Sequence, residues 1–159
     1  MKQVLMLFTL LITSYSYATL GKTTISDQIS PDKNTTEEEG ILFFKGTWQE
    51  ALNKAKAEKK MVFLDAYASW CGPCKTMART TFKEEAVGLY FNEHFINVKM
   101  DMEKDVEGPR LSKKYKLTAY PSLYFLNSNE ELVSYTMGAY KAKALVKYAK
   151  EVIRLVSHN

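Results

Sequence analysis

Phe63-Leu64-Asp65-Ala66-Tyr67-Ala68-Ser69-Trp70-Cys71-Gly72-Pro73-Cys74-Lys75 contains both cysteines of a 159-residue chain. The run from Met61 to Tyr67 is apolar except for Asp65, the pattern of a strand buried on both faces in the middle of an α/β sheet. Directly after it comes a C-x-x-C in which Cys74, Met77, Ala78 and Thr81 keep helical register. The cysteines therefore sit where a buried strand turns into a helix. A secreted domain stapled by disulfides spreads its cysteines to close long loops, and closing so short a loop restrains the unfolded chain little. The pair reads as chemistry rather than as a staple.

A strand-to-helix turn suits a reactive thiol. The helix N-terminus offers unpaired N–H groups and the positive end of the dipole, both of which favour a thiolate at Cys71. Pro73 has a φ pre-set for the first helical turn and no N–H to leave unpaired, and Gly72 keeps the approach to Cys71 open. Cys71 is expected to be the exposed attacking thiolate and Cys74, one turn deeper, the buried resolving thiol. Thiols of C-x-x-C motifs have pKa values of ~3.5 to ~7, set by their surroundings. A lone acid in an apolar strand must be paired or pushed up in pKa. Asp65 is therefore expected to be buried, paired or with a raised pKa.

Further elements follow on both sides. Ile41 to Phe44 can form a short strand, and Thr47-Trp48-Gln49-Glu50 fits a capping box opening a helix that buries Trp48, Ala51, Leu52 and Ala55. Downstream, Glu84 to Phe95 reads as a helix burying Val87, Tyr90 and Phe91, Ile96 to Asp101 as a strand, and Gly108 to Tyr115 as a short helix. Ser122 to Leu126, the turn at Asn127-Ser128-Asn129 and Leu132 to Met137 read as a hairpin. Leu145, Tyr148, Ala149, Val152, Ile153 and Val156 give the last helix its apolar face. The order βαβαβα-ββα predicts a central mixed sheet with helices on both faces.

The N-terminus is of a different kind. Lys2 precedes an apolar run from Val4 to Ile12, and Ser16-Tyr17-Ala18 follows with small residues at its first and third positions. Residues 1–18 are expected to be a signal peptide, cleaved after Ala18. The apolar run is about half of the ~20 residues needed to span a bilayer. Residues 19–40 are polar, include Glu37-Glu38-Glu39 and lack apolar periodicity, so they are expected to be a flexible leader before a domain at 41–159. The net charge of +4 is scattered, without a basic stripe, and does not imply nucleic acid.

The active-site stretch closely resembles that of the thioredoxin family, and the resemblance extends from about Phe43 to Val156. The segment through Phe95 is most similar to exported, periplasmic members, including the C-terminal domain of thiol–disulfide interchange proteins. The resemblance implies a thioredoxin fold, protein-disulfide oxidoreductase activity and no cofactor. It makes Cys71 and Cys74 the redox pair and Asp65 the buried acid behind the resolving cysteine, placed to accept the Cys74 proton through a water. Pro121 matches the family's cis-proline, which faces the cysteines and offers backbone to an extended client, and Gly138 matches a groove glycine, a plain turn glycine being the alternative. Trp70, Gly72, Pro73, Tyr120, Pro121 and Gly138 are thus the expected substrate-binding set.

Three positions depart from the family pattern. Asn97 aligns with a family lysine near the buried acid, with Lys99 two residues on. Arg79 stands where a helix-kinking proline is common, and Tyr120 where an aliphatic residue usually precedes the cis-proline. Gly-Pro between the cysteines resembles reducing members. An exported reductant needs a membrane electron donor, and its expected clients are oxidised secreted proteins or apocytochromes, met as a monomer. Two other readings use the same cysteines. A zinc or cluster site needs four ligands and would have to recruit His94 and His158 from a second copy, and a non-catalytic binding module would leave the pair idle. No metal is expected.

Overall fold

A computed structural model describes residues 40–157 of the chain. The expected signal peptide, the leader up to residue 39 and His158 lie outside the described residues.

Helix α1 (Trp48–Glu58) opens on the expected capping box. Thr47 Oγ1 accepts the Glu50 N–H and the Glu50 carboxylate accepts the Thr47 N–H at 2.7 Å. It is followed by β1 (Met61–Tyr67), α2 (Gly72–Arg79), a 3-10 turn (Thr81–Lys83) and α3 (Glu85–His94). Then come β2 (Phe95–Asp101), α4 (Gly108–Lys114), β3 (Ser122–Leu126), β4 (Leu132–Met137) and α5 (Ala142–Ser157). The strands lie in the order β2-β1-β3-β4. β1 runs parallel to β2 and antiparallel to β3, and β3 is antiparallel to β4. The sheet is mixed, with β1 central.

Alternation along β1 separates two cores. Val62, Leu64 and Ala66 point to one face, where Trp48, Ala51, Leu52 and Ala55 of α1 and Leu111 of α4 cover them. Met61 and Phe63 point to the other, under Met77 of α2, Val87 and Phe91 of α3, and Leu145, Ala149 and Val152 of α5. Phe63 is wholly buried there and meets Phe82, Phe91 and Phe125 ring against ring. Asp65 follows in the same alternation, so a carboxylate enters this aromatic face.

Three expectations need correction. Ile41 to Phe44 is not a full strand, because only Phe43 bridges β2, opposite Asn97. Side-chain amides replace the ladder there: Asn92 Oδ1 accepts the Leu42 N–H at 2.9 Å, and Asn92 Nδ2 donates to the Gly40 carbonyl at 3.1 Å. Gly40 belongs to the packed domain rather than to the leader. It is buried with φ +97°, and a Cβ on Gly88 would run into its carbonyl. Val156 is exposed, because the last buried residue of α5 is Val152 and the helix outlasts the face it packs on.

Candidate active site

β1 delivers the chain to the site, and the Tyr67–Cys71 loop is tied down where β2 ends. The parallel register sets Tyr67 opposite Asp101. Asp101 is buried; its Oδ2 accepts the Ser69 N–H at 3.1 Å and its Oδ1 the Glu103 N–H at 3.1 Å. The Met102 N–H closes on the Tyr67 carbonyl at 2.9 Å. One carboxylate thus joins the segment entering the C-x-x-C to the turn after β2. Asp101 and Glu103 were not among the residues expected at the site. The available signal was an acid ending an apolar strand that runs parallel to β1.

Cys71 is the N-cap of α2, and its sulfur accepts the Cys74 N–H at 3.2 Å. That places Sγ at the positive end of the helix, where a thiolate gains from the dipole and from the N–H. Cys71 and Cys74 are disulfide-bonded, with Cα atoms 5.4 Å apart. Both residues are 2% exposed, so the expected exposure of Cys71 needs correction: in this oxidised form it is closed to solvent. Its sulfur is turned onto Cys74, and Ala68, Tyr67 and Tyr120 pack around the pair. Gly72 and Pro73 are exposed beside it, and a Cβ on Gly72 would meet nothing.

Trp70 is 66% exposed, yet its indole is held. Nε1 donates to Glu103 Oε2 at 2.9 Å, and the ring meets Tyr120 edge to face at 5.6 Å between centroids. Burial, then the charges of Glu103 and Asp101, push the Tyr120 hydroxyl up in pKa. The Tyr120–Pro121 peptide is cis. The buried Pro121 accepts the Gly138 N–H on its carbonyl at 2.8 Å, which ties the start of β3 to the glycine after β4.

Asp65 is 1% exposed. Its Oδ2 accepts from Lys99 Nζ at 3.0 Å, while Oδ1 has no hydrogen-bond partner among the described residues. Burial pushes its carboxyl up, Lys99 pulls it down by charge and hydrogen bond, and the burial wins. The register decides the lysine: Asp65 faces Lys99 and Phe63 faces Asn97. Lys99, not Asn97, therefore stands beside the acid, and Asn97 instead donates to Asn92 and to the Leu42 carbonyl. Lys99 Nζ also lies 4.4 Å from the Tyr67 ring centroid and within 6 Å of Phe43 and Phe82, a favourable place for a cation.

Arg79 closes α2 as an exposed residue of its last turn. His94 sits on α3 with Nδ1 2.9 Å from the Tyr90 carbonyl and its ring stacked on Tyr90. The structure thus brings Trp70, Cys71, Cys74 and Tyr120 into one cluster, with Pro121 and Gly138 bonded to each other.

The comparisons with known proteins agree with this geometry. The Thioredoxin family profile matches residues 41–151. Thioredoxin-1 of Drosophila melanogaster is 34% identical over 96 residues, covering 60% of this chain and 83% of that protein. The solution structure of a disulphide-isomerase candidate from Bacteroides thetaiotaomicron is 44% identical, with a TM-score of 0.66 over 74% of this chain and 96% of the other. The oxidised C-terminal domain of Neisseria meningitidis DsbD shares the fold at 24% identity, with a TM-score of 0.55 over 70% of this chain and 98% of that domain. The chain belongs to the thioredoxin family and is a thiol–disulfide oxidoreductase carrying its C-x-x-C pair at Cys71 and Cys74.

Proposed function

We propose that the protein is an exported protein-disulfide reductase or isomerase, freed of residues 1–18 and working as a monomer in the periplasm or outside the cell. The observation that carries the reading is the position of Cys71 Sγ, capping α2 and accepting the Cys74 N–H at 3.2 Å beside Tyr120. The 44% identity to a disulphide-isomerase candidate supports the activity, Gly72-Pro73 the reducing direction, and the Met1–Ala18 pattern the export.

In the reducing direction the Cys71 thiolate attacks one sulfur of a client disulfide. A mixed disulfide forms and the other client sulfur leaves as a thiolate. Cys74, deprotonated by Asp65, then attacks Cys71 Sγ. The client's second sulfur is released and the Cys71–Cys74 disulfide closes, so two electrons have passed to the client. Trp70, Gly72, Pro73, Tyr120, Pro121 and Gly138 form the client-facing surface. A membrane thiol–disulfide donor must re-reduce the pair in an oxidising compartment. Oxidised secreted proteins or apocytochromes are the clients.

Insulin reduction with the purified protein, together with the reduction potential of its dithiol, tests the reading. We expect insulin to be reduced and the potential to lie on the thioredoxin side, near about −270 mV, rather than at the about −120 mV of a strong oxidant. Failure to reduce insulin, or an oxidant's potential, would overturn the reductase reading. Mass spectrometry of the exported chain should give Thr19 as its first residue.

A further inference from the structure

We propose that Glu103 is a positioning residue for client binding, clamping Trp70 and Tyr120 as a rigid aromatic wall beside the Cys71–Cys74 pair. The inference rests on the disulfide-exchange reading above and assigns a task to a residue outside the cysteine motif.

Glu103 is on the turn after β2, 32 residues beyond Cys71 in sequence, and is itself exposed. An exposed acid normally serves solubility, but two contacts set this one apart. Its backbone is fixed, because Asp101 Oδ1 holds the Glu103 N–H and Asp101 Oδ2 holds Ser69 in the loop before the cysteines. Its side chain faces the aromatic pair, accepting the Trp70 indole N–H at 2.9 Å and acting on the Tyr120 hydroxyl. Trp70 in turn meets Tyr120 edge to face, with the ring planes 81° apart. Tyr120 packs on the cysteine cluster. The chain of contacts runs from Asp101 through Glu103, Trp70 and Tyr120 to the disulfide.

Trp70 is 66% exposed, and among the described residues its hydrogen bond is to Glu103 and its ring contact is with Tyr120. Without Glu103 the indole can turn about both side-chain torsions, and Tyr120 loses its neighbour. A protein client has to order that surface on docking, whereas held aromatic rings are ordered in advance. A small disulfide needs only the sulfur and not the wall. The bracket should therefore appear in KM for proteins and leave the sulfur chemistry alone.

The test compares the wild type with Glu103→Ala and Glu103→Gln. The readouts are kcat and KM on insulin, the rate on hydroxyethyl disulfide, and acrylamide quenching of tryptophan fluorescence. Quenching reports Trp70, because Trp48 is only 5% exposed. Glu103→Ala should raise KM for insulin about three- to tenfold, the cost of ordering one or two rings. Its kcat and its hydroxyethyl disulfide rate should stay within about twofold, and quenching should rise. Glu103→Gln should restore both KM and quenching, because its amide oxygen still accepts the indole N–H. An unchanged KM in Glu103→Ala, equal slowing on both substrates, or a Gln variant as impaired as Ala would each overturn the proposal. A wild type inert toward both disulfides would instead overturn the disulfide-exchange reading, and the positioning role with it.

Discussion

Lys99 Nζ lies 3.0 Å from Asp65 Oδ2, and the two residues stand directly opposite each other in the parallel register of β1 and β2. The pair is unequal. Asp65 is 1% exposed, whereas the Lys99 side chain keeps 26% of its surface and lies over the Tyr67 ring. The ammonium can remain hydrated while the carboxylate cannot. Desolvation therefore falls on the acid, and its carboxyl is pushed up despite the cation beside it.

Removing the acid should relieve this burial. A carboxyl whose pKa is higher in the folded than in the unfolded chain holds its proton longer when folded. Its contribution to stability is full below the unfolded value of about 3.9 and is lost as pH rises through the folded value. Asp65→Asn should thus be as stable as the wild type near pH 4 and more stable at pH 7.5, by about 1–3 kcal/mol. Urea unfolding of both oxidised proteins at the two pH values measures it. Resolution of mixed disulfides should slow in the variant, most visibly near neutral pH, in stopped-flow reduction of a model disulfide.

Removing the lysine should do the opposite. Lys99→Met keeps an apolar stem of similar length but removes the ammonium that lies near Phe43 and Phe82 and leaves Asp65 buried without its partner. Breaking a fully buried pair costs about 3–5 kcal/mol. Because Lys99 is partly solvated, about 1–3 kcal/mol is expected at pH 8. The loss should shrink toward pH 4, where a protonated Asp65 needs no cation. Combining Lys99→Met with Asp65→Asn should recover most of the stability at pH 8. A loss as large at pH 4 as at pH 8 would assign the lysine to packing alone.

The two cysteines divide the reaction. Cys71→Ser removes the sulfur that caps α2 and should abolish exchange. Cys74→Ser keeps that sulfur but cannot resolve the mixed disulfide, so client adducts should accumulate on Cys71. Non-reducing gels of the variants expressed with their clients, followed by mass spectrometry of the adducts, check both. Adducts through Cys74 in Cys71→Ser would reverse the assignment.

The fold was legible in the sequence wherever the signal was local, in strand patterning, turn residues or a cap. Met61 to Tyr67, the hairpin strands and the Thr47–Glu50 capping box all lie where periodicity and cap chemistry place them. Ile41 to Phe44 was misread because its backbone is held piecemeal: Leu42 bonds to the side chains of Asn92 and Asn97, Ile41 to the Phe82 carbonyl and Phe44 to the Asn97 carbonyl, all distant in sequence. Whether Asn97 or Lys99 stands beside Asp65 stayed open in the sequence for a related reason. Alignment along the chain does not contain the β1–β2 register, and the register alone sets Lys99 against Asp65. Asp101 and Glu103 were missed because their role is to join two chain segments, and the one local sign of it was the acid that ends β2.

Gly138 gives a test that separates shape from function. Its φ is +91°, its N–H donates to the Pro121 carbonyl at 2.8 Å, and a Cβ built on it would meet nothing within 4 Å. Gly138→Ala is therefore strained by its backbone and not by a clash. A left-handed conformation costs an L-residue about 1–2 kcal/mol, which should appear directly as lost stability in urea unfolding. A turn glycine would show that loss and nothing more. A glycine lining the client groove would show a second effect, because the open space that receives the methyl is the space an extended client strand would occupy. We expect KM for insulin to rise several-fold while the rate with hydroxyethyl disulfide holds, both measured well below the melting temperature of the variant. If the stability falls and both kinetic readouts stay at wild-type values, Gly138 serves the turn alone, and the groove ends at Pro121.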